Sequence, residues 1–65
     1  MWAIYKTIFD GYDEEGNEVY RVIGTEELFT DLIKAREKYH KLKDHVENGE
    51  YVSYALYEIG EYEDE

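Results

Sequence analysis

Residues 2–23, WAIYKTIFDGYDEEGNEVYRVI, decide the fold. Residues 2–9 are aromatic and β-branched, types that suit a pleated surface, and predict a strand. Residues 13–17 (DEEGN) predict a tight hairpin connection. Asp13 starts a type I turn, and Gly16 takes the positive-φ position that closes a bulged three-residue loop. Residues 18–23 (EVYRVI) predict the returning strand. If Asp13 faces Asn17, Ile8 falls opposite Val22, Phe9 opposite Arg21 and Asp10 opposite Tyr20. A slip of one residue would exchange the two faces.

Beyond the hairpin, Gly24 ends the second strand and Thr25 reads as a helix N-cap, with Glu26 and Glu27 favourably placed in the first turn. The helix is expected over about 25–48, with Gly49 as its left-handed stop. Leu28, Leu32, Ala35, Tyr39, Leu42 and Val46 recur at spacings of three and four, widened by Phe29 and Ile33 into an apolar stripe. Glu37 and Lys41 have the spacing and order of a helical ion pair. Such a helix is about 34 Å long, and would overhang strands of about 30 Å. Residues 51–59 (YVSYALYEI) predict a third strand, stopped by Gly60; residues 61–65 read as a frayed acidic tail.

The expected order is therefore β-β-α-β. The hairpin is antiparallel, and a right-handed crossover carries the last strand past the second to pair with the first. This is an α+β two-layer sandwich, with sheet order 2-1-3 and one helix on one face. In strand 1, Trp2, Ile4 and Ile8 point one way and Ala3, Tyr5 and Phe9 the other. In strand 3, Val52, Tyr54 and Leu56 oppose Tyr51, Ala55, Tyr57 and Ile59. One helix covers only one face, and a wet second face should be polar. Both faces here are apolar or aromatic. The second is thus either a tyrosine-rich solvated surface or a covered one, and Tyr and Trp favour interfaces. Strand 3 is also expected at an edge with no Pro, Lys or bulge to protect it. Pairing of two such edges would give a symmetric homodimer; sheet-face and helix-face dimers are the alternatives.

At 65 residues the chain is a single domain, 1–65. It has 17 acids against 7 bases, a net charge of −10, and neither Cys nor Pro. No disulfide or cysteine-bound zinc can stabilise it. Hydrophobic residues at 43% and aromatics at 17% separate it from disordered acidic tails. No apolar run has the ~18 residues of a membrane span, and the start is not that of a signal peptide. A cytoplasmic location is expected, with no membrane contact. The charge divides unevenly. Residues 49–65 carry six acids and no base, whereas the bases cluster in 34–43 (KAREKYHKLK). The charge can serve solubility, or it can steer the chain to a basic partner.

No motif for chemistry stands up. His40 and His45 do not share a helix face, and His40 with Asp44 offers too few ligands for a metal, though spaced for a hydrogen bond. Residues 11–22 lack the first and last ligands of a calcium loop, with Gly11 and Val22 in those places. Ser53, the one serine, has no histidine placed to activate it. The glycines form no phosphate loop. Neither an enzyme nor a cofactor is expected, and an acidic surface argues against direct nucleic-acid binding.

In being short, acidic, cysteine-free and aromatic-rich, the chain resembles the small acidic inhibitors that bacteriophages and mobile elements make against host nucleic-acid-binding proteins, DNA mimics among them. The resemblance is one of class, so no residue role comes with it. It implies a basic host protein as partner. Duplex DNA carries about 20 phosphates over ~34 Å, against 17 carboxylates here. On that reading the candidate phosphate stand-ins are Asp13, Glu14, Glu15, Glu18, Glu58, Glu61 and Glu63. Tyr12, Tyr54 and Tyr57 are the candidate aromatic anchors. The alternative is an interaction module that docks a partner through its tyrosine-rich sheet face or edge strand.

Overall fold

The computed structural model describes residues 1–60. The chain runs β1 (Trp2–Tyr12), β2 (Glu18–Phe29), α1 (Leu32–Lys41), β3 (His45–Glu47) and β4 (Glu50–Glu58). It is an α+β fold with one helix and a four-stranded sheet of order β2-β1-β4-β3. Every neighbouring pair is antiparallel. The three expected strands keep their relative order, with the last strand against the first. The fourth strand, β3, is a correction.

The first hairpin forms as its residues suggest. Asp13 Oδ1 accepts the backbone amides of Glu15 and Asn17, each at 2.9 Å. Gly16, at φ +87°, donates its amide to the Asp13 carbonyl. Tyr12 then faces Glu18, but the register slips by one at the next step. Asp10 and Gly11 together oppose Val19, a bulge made possible by Gly11 at φ +98°. Phe9 therefore pairs with Tyr20, Ile8 with Arg21 and Thr7 with Val22, which corrects the expected register. Tyr20 and Val22 consequently lie on the face of Phe9 and Thr7 instead of the face of Ile8. Ile23 and Glu26 make two further bulges in β2.

The helix is ten residues, not the expected 25–48. Residues 24–29 continue β2, because the first half of β1 needs a partner on that side. Trp2 pairs with Phe29, Ala3 with Leu28 and Ile4 with Glu27. Thr25 therefore lies in a strand, and Asp31 is the N-cap, its side chain accepting the Ile33 amide. At its other end the helix stops at Leu42, in extended conformation. Asn48 and Gly49, at φ +52° and +81°, form a two-residue hairpin between β3 and β4. Positive φ at both central residues marks a type I′ turn, for which Asn-Gly is the preferred dipeptide. Gly49 takes the expected left-handed conformation, but in a turn between strands. The helix spans about 15 Å and covers part of the sheet; it does not overhang it.

The helix lies on the face of Ile4, Ile8 and Val52, which with Ala35 are buried. Lys38 Nζ reaches Glu27 Oε1 of β2 at 3.7 Å. That pair replaces the expected Glu37–Lys41 interaction as the ion pair on this helix. Of the expected stripe, Leu28, Phe29 and Val46 belong to strands, Leu42 is the C-cap, and Ile33 points to solvent. Lys38, His40 and Lys41 occupy the last turn, where cations favour the helix dipole. Among the described residues no helix is long and apolar enough to cross a membrane.

Candidate functional site

Among the described residues no element covers the sheet's second face. Register assigns it Ala3, Tyr5, Thr7 and Phe9 of β1, and Leu28, Thr25, Val22 and Tyr20 of β2. From the other side come Tyr57, Ala55, Ser53 and Tyr51 of β4, with Val46 of β3. Tyr12 joins them through edge-on contact with Phe9, at 5.4 Å between ring centres. Most of the exposed large apolar side chains belong to this one face: Tyr12, Tyr20, Val22, Leu28, Val46, Tyr51 and Tyr57. Phe9 and Tyr20 meet edge-on at 5.7 Å, and Tyr5 and Tyr57 are tilted at 5.8 Å. Between the two groups lies an open groove of about 270 Å³, lined by Thr7, Tyr20, Val22, Ser53 and Tyr57. The small residues beneath are shielded by their neighbours. Ala3 is buried between Leu28 and Tyr57, and Thr7 Oγ1 lies 2.9 Å from Ser53 Oγ.

Two carboxylates stand at the hairpin end of this face, each held by a tyrosine. Tyr20 donates to Glu18 Oε1 at 3.0 Å, and Tyr51 donates to Asp44 Oδ2 at 2.6 Å. Donation to a carboxylate stabilises each phenol, so both tyrosine pKa values are raised. Asp44 is thus held by Tyr51, not by His40, which corrects the expected His40–Asp44 bond. His40 instead lies against the ring of Tyr39.

The covered face has its own polar cluster beside the helix. Lys6 Nζ sits 3.2 Å from Glu47 Oε1, and His45 Nε2 lies 2.8 Å from Glu47 Oε2. The Lys43 carbonyl and Glu47 raise the His45 pKa, while His45 and Lys6 lower that of Glu47. The cluster ties β3 to β1 across β4. Among the described residues no group of three or more His, Cys, Asp or Glu side chains is placed to hold a metal ion.

The candidate residues divide by place. Asp13, Glu14 and Glu15 form the exposed tip of the first hairpin. Glu18 begins β2 beside them. Glu58 pairs with Trp2 at the opposite end of β1, so it stands apart from the tip. Glu61 and Glu63 lie outside the described residues. Tyr12 and Tyr57 are on the open face, but at its two ends. Tyr54 pairs with Lys6 and lies near the His45 ring, on the covered face.

Three carboxylates elsewhere have basic partners among the described residues. Glu27 meets Lys38, Glu47 meets Lys6 and His45, and Arg21 Nε is 3.9 Å from Asp10 Oδ2. Asp13 is engaged as well, its carboxyl held below the usual range by the Asn17 backbone amide first, with that of Glu15 adding. Glu14 and Glu15 make no ion pair among the described residues. Sequence reading missed Tyr20 and Val22 as part of the face, whereas Tyr51 follows the expected alternation with Ala55 and Tyr57. Gly11 was the signal for the bulge that places the first two there. Comparison with protein-family models, curated proteins and solved structures gives no match.

Proposed function

We propose that this chain is a small acidic protein-binding inhibitor or regulator that engages a basic partner through the tip of its first hairpin. The observation that carries this reading is the difference between Asp13 and its neighbours. Asp13 spends its carboxylate on the turn, which holds the loop in one shape. Glu14 and Glu15 project from that loop without basic partners among the described residues, so their charge is available outside the molecule. Charge presented on a pre-formed support binds without the entropic cost of ordering a loop.

The finer form of the proposal is phosphate mimicry against a host nucleic-acid-binding protein, as a phage or mobile-element product would act in a bacterial cytoplasm. One cluster of two to four carboxylates suits a pocket for a few backbone phosphates. It does not resemble the ~20 phosphates of a duplex turn. Glu18 and Tyr12 extend the tip cluster, whereas Glu58 belongs to the far end and is a weaker candidate. The chain then acts by occupancy and needs neither a reaction nor a cofactor. A second reading, an interaction module docking a partner through the open face, is favoured by the seven exposed apolar side chains gathered there.

The test is capture of partners from bacterial lysate on the immobilised chain, with the double substitution Glu14→Lys, Glu15→Lys beside it. The expected result is a DNA-binding protein that duplex DNA and high salt displace, and that the double variant fails to capture. Equal capture by the two forms rejects the tip. Capture lost instead with Tyr57→Ser moves the contact to the open face.

A further inference from the structure

We propose that the open sheet face is the interface of a symmetric homodimer, in which two copies pack these faces together with strands antiparallel across the contact. The inference does not rest on the hairpin-tip reading, since Asp13, Glu14 and Glu15 of both copies stay outside the contact. Three observations converge on a second copy as the occupant.

The first is the size of the core. Among the described residues the buried apolar side chains are Ala3, Ile4, Ile8, Ala35 and Val52, and two of these are alanine. Chains of this length bury only ~60% of their unfolded surface. Small domains usually add a disulfide, a metal or a second subunit. This chain has no cysteine, and its described residues offer no metal cluster. A second copy would turn a two-layer domain into a four-layer one, with the open face as its centre.

The second is area. Strands spaced ~4.8 Å apart and residues rising ~3.3 Å along them give this face about 500 Å² in projection. Its tyrosines stand above that plane, so the accessible area exceeds the projection, towards the ~800 Å² that each partner buries in a standard interface.

The third is the distribution of charge. The middle of the face, from Thr7 and Val22 to Ser53 and Ala55, carries no ionised side chain among the described residues. A basic partner would find no acid there. A second copy finds the same neutral tyrosine and aliphatic surface, while the described acids of the face stay at its margin. The two carboxylates on the face, Glu18 and Asp44, share one end and are held by Tyr20 and Tyr51. Antiparallel packing sets that end over the Leu28 and Tyr57 end of the other copy. It keeps the four carboxylates apart, whereas parallel packing would stack them. The sheets then interdigitate as in an aligned sandwich. Two chains of like charge repel, so added salt should tighten the dimer.

The experiment is sedimentation equilibrium of the full chain from micromolar to millimolar concentration, at low and high salt. The expected mass is twice 7.8 kDa, with a dissociation constant that falls as salt rises. Val22→Asp and Tyr57→Asp each place a carboxylate inside the contact, and each should weaken association about a hundredfold. Both side chains are more than half exposed in the single chain, so far-UV circular dichroism should be unchanged. Ile33→Asp, on the outer face of the helix, should leave the dimer intact. A second measurement needs no substitution. In a mixture of labelled and unlabelled chains, contacts should join Leu28 methyls of one copy to the Tyr20 and Tyr51 rings of the other. A monomer at millimolar concentration overturns the proposal and leaves the face to a different partner. So does a dimer that survives both face substitutions, or one joined by backbone strand pairing along Ser53–Glu58, the stretch of β4 that has β1 as its only described strand neighbour.

Discussion

The two faces of the sheet are built from the same strands and differ in almost everything else. Ile4, Ile8 and Val52 are sealed under Ala35 and its helix. One residue along the chain, the side chains are Tyr5, Phe9 and Tyr51, and none of the described elements covers them. The difference comes from the length of the helix and the position of one bulge. A ten-residue helix has one covered flank, and the Asp10–Gly11 bulge turns Tyr20 and Val22 away from it. Stability is therefore concentrated on one face and association is available to the other.

The largest test of that division compares Ile4→Ala with Val22→Ser in dilute solution. Ile4 is fully buried, and its truncation should cost about 3 kcal/mol in urea unfolding. That is a large part of what a domain this small possesses. Val22 is 53% exposed, and its loss should cost less than about 1 kcal/mol. Equal costs at low concentration would mean that the open face is as well packed as the covered one.

The next effect concerns the two hairpins. Gly49 at φ +81° and Gly16 at φ +87° are both left-handed, and alanine at either should cost about 1–2 kcal/mol. They should differ in where the damage spreads. Gly16→Ala meets a loop held by Asp13, whereas Gly49→Ala loosens β3, which has only three residues. Amide exchange should quicken at His45–Glu47 in the second variant and leave β1 protected. Uniform loss of protection would show that β3 is integral to the whole sheet.

A third comparison separates two rival helix starts. Asp31→Ala removes the observed cap and should cost about 1 kcal/mol. Thr25→Ala should cost only a few tenths, because Thr25 is an exposed strand residue. The reverse order would restore the longer helix.

These contrasts show where the sequence was legible. The first hairpin loop could be read because its signals are local: Asp13 and Gly16 carry their own hydrogen bonds and φ values. The pairing of the last strand with β1 followed from handedness and a single crossover. The helix boundaries could not be read the same way. Thr25-Glu26-Glu27 has every mark of a helix start, but Trp2–Ile4 needed a partner strand, and tertiary pairing overrode propensity. At the other end, Asn48-Gly49 suits both a helix stop and a type I′ turn, and periodicity favoured the first. Even so, His45-Val46-Glu47 before it alternates as a strand would. In the candidate site, the acids of residues 13–15 were legible because loops are exposed. The open face was only half legible. Its β4 residues follow simple alternation, but its β2 residues depend on bulges that shift the period.

The smallest expected effect is a pH dependence confined to the covered side. His45 has its pKa raised above the ordinary 6.5 by the Lys43 carbonyl, then by Glu47. The sign follows from linkage: a raised folded value means the folded chain holds the proton more tightly than the unfolded chain. This contribution is complete below pH 6.5 and is lost as pH rises through the raised value. Glu47, lowered by His45 and then Lys6, acts oppositely, and its share is lost as pH falls through its depressed value. Both groups are exposed, so solvent screens the effect strongly. The readout is local exchange of the β3 amides. Exchange, corrected for its intrinsic pH dependence, should rise at Val46 and Glu47 above neutral pH and stay flat around Tyr20 and Tyr57. His45→Gln should abolish the rise while leaving Ile4 buried. A titration that loosened both faces alike would show that the Lys6–Glu47–His45 cluster supports the sheet as a whole, beyond pinning its shortest strand.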